Sequence, residues 1–174
     1  MKNILLIITG SIAAYKSLEL IRLLKKDGHH VRCVLTKAGS KFVTPMSVAA
    51  LSEEKVYGDI FNLKDESEMG HIRLSREADL VVVAPASADI IAKLANGLAD
   101  DLASTLLLAT SAPVWMAPAM NVKMWEHPAT QRNVAQVKAD GVTIIEPDAG
   151  ELACGEEGQG RMAEVETIIA AIDA

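Results

Sequence analysis

Cysteine is nearly missing from this chain: Cys33 and Cys154 are the only two in 174 residues, and no CxxC or Cys/His spacing connects them. A disulfide scaffold and a structural zinc site are both excluded, no other metal site is expected, and a reducing compartment, the cytoplasm, fits best. Aromatic residues are scarce at 3%, which removes the raw material for stacking platforms that hold single-stranded nucleic acid. Positive charge is also short: the formal net charge is -6 and no basic cluster occurs, so no face is available to neutralise a phosphate backbone, and no nucleic-acid partner is expected. Nor does any apolar run approach the length that crosses a bilayer, so no membrane association is expected. The run Ile4–Ile8 is too short for a secretory leader, is broken at Thr9-Gly10, and leads into a patterned helix. Repeats and low-complexity linkers are absent, which offers no place to divide the chain.

What is present is apolar surface in quantity. Half of the residues are apolar, enough for one domain over residues 1–174 to bury a core without staples. Ile4–Ile8 reads as a strand, Thr9-Gly10-Ser11 as a tight turn, and Ala14, Leu18, Ile21 and Leu24 as one face of a helix ending at Gly28. A strand over His30–Thr36 and a helix over Ser40–Leu51 continue the alternation. Ser52–Gly70 is polar, acidic and without period, and reads as a strand end followed by a long connection. The rhythm then returns: a strand over Asp79–Ala84, helices over Ser87–Ala95 and Asp100–Thr110, a strand over Pro113–Ala117, a helix over His127–Ala139 and a strand over Val142–Glu146. Pro147–Arg161 reads as a glycine-rich loop, and Ala163–Ile172 as the closing helix. Uninterrupted apolar strands between helices imply an α/β fold, a doubly wound Rossmann-like or flavodoxin-like parallel sheet with helices on both faces.

Ligands of doubly wound sheets settle outside the carboxyl ends of the strands, where this sequence places three unusual segments: Gly10-Ser11, Pro85-Ala86-Ser87-Ala88-Asp89 and Pro118-Ala119-Met120-Asn121. Gly10 allows close approach of the backbone, and Ser11 can cap a helix or meet a phosphate; the same pair equally suits an ordinary strand-to-helix turn. The first turn lacks G-x-G-x-x-G, which disfavours a dinucleotide and leaves a mononucleotide. Ser87 and Asp89 suit either a ligand or a helix N-terminus. His71 is the histidine best placed to act as a base, whereas His29, His30 and His127 read as surface residues. Cys154 lies in a loop rich in glycine that can close over a site, while Cys33 sits in an apolar strand as packing. Met116, Met120 and Met124, around Trp115 and Trp125, can line a ligand pocket or fill the core.

Together, Gly10-Ser11-Ile12-Ala13-Ala14-Tyr15-Lys16, Gly70-His71-Ile72, Pro85-Ala86-Ser87-Ala88-Asp89, Pro118-Ala119-Met120-Asn121 and Ala153-Cys154-Gly155 closely resemble the flavin-containing cysteine decarboxylase family, over nearly the whole chain and in order. The similarity is greatest to the branch that acts in coenzyme A synthesis. It implies FMN as cofactor, contacted by Gly10, Ser11, Thr36, Phe42, Ser87, Ala88, Asp89, Ile90, Ser104 and Ala119. It implies His71 as catalytic base, Asn121 as the group that binds the substrate's carboxylate or amide, and Cys154 as the acid. Asp89 stands where the family often has Asn. The implied reaction converts phosphopantothenoylcysteine to phosphopantetheine: oxidation to a thioaldehyde, decarboxylation to an enethiolate, and re-reduction. The implied partners are the small-molecule substrate, further copies of the chain in a homotrimer or dodecamer, and a phosphopantothenate–cysteine ligase, fused or separate. The alternatives within reach of the same motifs are a peptidyl-cysteine decarboxylase, a flavin prenyltransferase and a non-catalytic flavin-binding regulatory subunit.

Overall fold

The computed structural model describes residues 1–58 and 70–174. In chain order it contains β1 (Asn3–Ile8), α1 (Ala14–Lys26), β2 (His30–Leu35), a single 3-10 turn at Gly39–Lys41, α2 (Pro45–Ser52), β3 (Val56–Tyr57), α3 (Gly70–Glu77), β4 (Leu80–Ala86), α4 (Ala88–Ala95) and α5 (Leu102–Ala109). There follow β5 (Val114–Pro118), α6 (Val122–Glu126), α7 (Pro128–Ala139), β6 (Thr143–Ile144), β7 (Asp148–Glu151), β8 (Glu157–Arg161) and α8 (Val165–Asp173). Six strands pair in the order β3-β2-β1-β4-β5-β6, every pair parallel, which is the doubly wound order expected.

The period of two along each strand divides the core into two layers. Ile4, Leu6 and Ile8 of β1, with Leu80, Val82 and Ala84 of β4, pack under α1, α2 and α8. Leu5, Ile7, Val81 and Val83 pack on the opposite face with Leu74, Ile91, Leu106 and Val137 from α3, α4, α5 and α7. Since both faces are covered, β4 is buried at all seven positions, and no polar alternation can survive in it. Each wholly buried Leu, Ile or Val contributes roughly 1.5–3 kcal/mol, so this central pair of strands fixes the frame to which everything else attaches.

Differences from the sequence reading have local causes. The helix over Ser40–Leu51 is divided: Thr44, preceding Pro45, is extended at ψ 150° and caps α2 through a bond from Ser47 N to its Oγ1. A strand, β3, follows where a strand end was expected, and α3 begins at Gly70 within what read as the end of the connection. The segment read as a glycine-rich loop is an antiparallel hairpin of β7 and β8, with Gly150 opposite Gly158. Its strands are mostly exposed and carry almost no apolar residues, so hydrophobic alternation gave no sign of them. His29, read as surface, is buried between the first and last segments: its Nδ1 accepts from Lys2 N at 3.2 Å, and its Nε2 lies 3.1 Å from Asp173 Oδ1.

Candidate active site

Between β1 and β4 the crossovers leave in opposite directions, opening a crevice at the carboxyl ends of these strands. Its floor is pinned by buried polar groups. Thr9, 2% exposed, donates its hydroxyl to Pro85 O at 2.6 Å and accepts from Ser87 N at 3.0 Å, tying the end of β1 to the end of β4. Ser17 of α1 donates to Ala84 O at 2.7 Å. Pro85 has no N–H for the ladder, and the β4–β5 register shifts between Val83 and Ala86, so these hydroxyls serve backbone groups near the irregularity. At Gly10 a Cβ would stand 2.6 Å from the Cβ of Ala38; only glycine lets the first turn lie against the segment after β2. Ser11 Oγ then accepts from Ala13 N at 3.2 Å, and Ser87 caps α4 by accepting from Ile90 N at 3.3 Å.

The facing wall comes from β5, α6 and the hairpin. Asn121 caps α6, its Oδ1 accepting from Met124 N at 2.8 Å. That bond assigns the amide: the oxygen faces the helix, and the NH2 end is the one available to a ligand. Met120 N donates to Gly160 O at 3.0 Å, and a Cβ on Gly160, at φ +134°, would lie 2.3 Å from Met120 O. The hairpin therefore seats on the Met120-Asn121 backbone only because residue 160 has no side chain. Trp125 Nε1 donates to Gln159 Oε1 at 3.3 Å, a further tie between α6 and β8. Cys154 is exposed at the hairpin's turn, its Sγ 3.8 Å from Glu156 Oε2. Cys33 lies buried in β2, where desolvation pushes its thiol up to about 12 against a weaker opposing bond from Ser52.

These walls enclose a cavity of about 800 Å³, a size suited to a cofactor or drug-sized ligand. Gly10 and Ser11 from the first turn, Ser87 and Ala88 from the second, Ala119 and Asn121 from the third, and Cys154 from the hairpin all line it. Seven of the expected site residues are thus brought together. Met120 and Met124 line it as well, whereas Met116 and Trp125 are core and Trp115 is half-buried.

Five other expected residues do not reach the cavity wall. Thr36 is buried one strand away, its N–H on Ile8 O and its Oγ1 accepting from Gly39 N, both at 3.0 Å. Phe42 is 49% exposed outside the cavity. Asp89 is exposed and paired with Lys93 at 3.0 Å, the helix-terminal role that the sequence had left open for it. Ile90 is core, and Ser104 is buried in a capping box with Asp101. The backbone of His71 opens α3; its side chain lies outside the described residues. Because α3 leads into β4, its first turn is the end of the helix directed toward the strands' carboxyl ends.

Sequence reasoning missed Thr9, whose only signal was a hydroxyl between an apolar strand and a glycine. It also gave no role to Lys16, Arg161 and Glu164, which line the cavity together. Glu164 Oε2 meets Lys16 Nζ at 3.0 Å, and its Oε1 meets Arg161. The hydrogen bond from Arg161, then that from Lys16, holds the Glu164 carboxyl below its ordinary range, and Glu164 in turn raises Arg161.

A family model, Flavoprotein, matches residues 1–174. The coenzyme A biosynthesis bifunctional protein CoaBC of Bacillus subtilis is 47% identical over 168 residues, which cover 97% of this chain and 41% of that protein. The chain therefore spans about two-fifths of the length of that relative. Among solved structures, a mutant PPC decarboxylase complexed with pantothenoylaminoethenethiol superposes with a TM-score of 0.88 at 33% identity, covering 99% of this chain and 96% of the other. The FMN binding protein AtHal3 superposes with a TM-score of 0.86 at 35% identity, covering 99% and 95% respectively.

Proposed function

The chain belongs to the Flavoprotein family, and from that premise we propose that residues 1–174 form one FMN-dependent domain that decarboxylates phosphopantothenoylcysteine to phosphopantetheine in coenzyme A synthesis. The supporting observation is the convergence of Gly10-Ser11, Ser87-Ala88, Asn121 and Cys154 on one cavity. The relatives' names point to the same reaction and the same cofactor.

The residues present fit FMN. Gly10 keeps the first turn free of side-chain bulk, Ser11 and Ser87 offer hydroxyls at the starts of α1 and α4, and Ala88, Ala119 and Met120 supply an apolar wall. When bound, FMN supplies reversible two-electron oxidation, turning CH2–SH into a thioaldehyde that accepts the electrons released as carbon dioxide leaves. The chain's own groups do the rest. Asn121 presents its amide NH2 to the carboxylate, since its oxygen is engaged by Met124 N. His71 takes the proton from the substrate thiol, and Cys154 returns a proton to carbon when the enethiolate is reduced. Thr36, Phe42, Asp89, Ile90 and Ser104 remain part of the proposed flavin environment.

The finer claims belong to the same proposal. The exposed Phe42 and Met46 provide apolar surface for a homotrimer or a dodecamer. A phosphopantothenate–cysteine ligase, fused or separate, supplies the substrate, and the setting is cytoplasmic. Among the described residues no helix is long and apolar enough to cross a membrane.

Absorption spectroscopy of the purified protein, followed by mass spectrometry of its reaction with phosphopantothenoylcysteine, tests the reading. Bands of bound oxidised flavin and loss of carbon dioxide are expected. His71→Asn should keep the bands and lose at least about a hundredfold in turnover, the scale of general-base catalysis. A colourless protein that takes up no FMN overturns the proposal; turnover of a peptide ending in cysteine instead transfers it to the peptide reaction.

A further inference from the structure

Among the described residues, Lys16 and Arg161 are the only cations on the cavity wall, and both are held by one carboxylate. Lys16 Nζ reaches Glu164 Oε2 at 3.0 Å, and Arg161 Nη2 reaches Glu164 Oε1, so a cation from α1 and a cation from β8 grip the two oxygens of a single side chain. We propose that this pair is the seat for the substrate's phosphate, that Glu164 is its internal placeholder, and that the exchange of one anion for the other sets preference for the phosphorylated substrate. The inference rests on the reading of the cavity given above.

Three features support the exchange. Lys16 is confined, its side chain 14% exposed, so its ammonium is already aimed at the position that Glu164 occupies. Glu164 is not confined: its side chain is 43% exposed and makes no capping bond to α8, although it stands at that helix's N-cap. Its backbone is secured separately, because Glu164 N donates to Asp148 Oδ2 at 3.2 Å. The carboxylate can therefore swing out without unwinding α8 or moving the hairpin. The competition favours the newcomer. A phosphate monoester carries about -1.5 to -2 charge and three acceptor oxygens against one charge and two oxygens, and a guanidinium pairs with it in bidentate fashion. Glu151, the other carboxylate on the wall, opposes a second anion, which makes both cations necessary.

A phosphate monoester in this cavity has two sources, the substrate and FMN. The hydroxyl and N–H donors of the turns at Gly10-Ser11 and Ser87-Ala88 suit the cofactor, which leaves the cation pair to the substrate. Titration calorimetry of the flavin-loaded protein with phosphopantetheine and with pantetheine distinguishes them. The unmodified protein should prefer the phosphorylated ligand by about tenfold or more, the scale of one charge-assisted bond. Arg161→Gln and Lys16→Gln should each collapse that ratio, and Glu164→Gln should widen it. An unchanged ratio in both cation variants overturns the proposal. So does a loss of FMN with retention of riboflavin, which assigns the cations to the cofactor. A ratio that depends on Arg161 in a protein that decarboxylates nothing leaves the seat standing and removes the reaction; normal turnover with an insensitive ratio does the reverse.

Discussion

On the β1–β4 side of the cavity, Thr9 and Ser17 are fastened to backbone carbonyls inside a core where β4 is wholly buried and β1 is buried beyond Asn3. On the hairpin side, Cys154 rides on two mostly exposed strands that are tied to the body by a backbone bond from Met120 N to Gly160 O, the Trp125–Gln159 bond, the bond from Glu164 N to Asp148 and the Arg161–Glu164 ion pair. One side is inseparable from the fold and the other can detach from it. The cost of damage to a detachable element is capped by the free energy of opening it, whereas damage to the frame draws on global stability. A cavity built this way keeps its cofactor turns rigid and its thiol movable.

The largest expected effect comes from breaking the rigid side. Thr9→Val keeps the shape and removes the hydroxyl, leaving Pro85 O and Ser87 N without their buried partner. Each such group costs about 1–3 kcal/mol, so a loss of about 3 kcal/mol is expected. Urea unfolding should show a lower midpoint at unchanged slope, together with weaker flavin retention. Unaltered stability removes Thr9 as the clip between the strands.

A smaller global effect is expected from Gly160→Ala, although its local clash is severe. The added Cβ meets Met120 O at 2.3 Å on a backbone at φ +134°, strain of about 1–3 kcal/mol before the clash is counted. Detachment of the hairpin relieves both, so global stability should fall by only about 1 kcal/mol while turnover collapses and proteases cut between residues 148 and 161. If global stability falls as far as in Thr9→Val, the two sides form one cooperative unit and the contrast fails.

The same contrast governs what could be read from the sequence. The frame was legible because buried parallel strands announce themselves as apolar runs: Leu80–Ala84 gave both the strand and its two-sided burial. Gly10, Ser87 and Asn121 were legible as site residues because each ends such a run. The hairpin was not, since Gly158 and Gly160 specify it by close approach and Gly150 by a φ of +152°, and their neighbours Ala149, Glu157 and Gln159 show no apolar alternation. Thr9, Lys16 and Glu164 were illegible for another reason. Their partners stand 76 residues away at Pro85 and 148 residues apart from each other, a relation that no local pattern encodes.

The smallest effect, nothing at neutral pH, comes from the cysteines, of which each side of the comparison holds one. Burial raises the Cys33 thiol from 9.0 to about 12. At pH 8 its thiolate fraction is therefore about a thousandfold below that of an ordinary thiol, before access is considered. Iodoacetamide should label the exposed Cys154 in the native protein and spare Cys33 until the chain unfolds, as peptide mass spectrometry will show. The sign of the pH dependence follows from the direction of the shift. A group whose folded value is raised stabilises fully below its unfolded value and ceases to do so as pH climbs toward the folded one. Native stability should therefore decline between about pH 9 and 12, and Cys33→Ala should flatten that decline at the cost of a small cavity. Equal labelling of both thiols in the folded protein would mean that β2 opens as readily as the hairpin, and the division between frame and clasp would be lost.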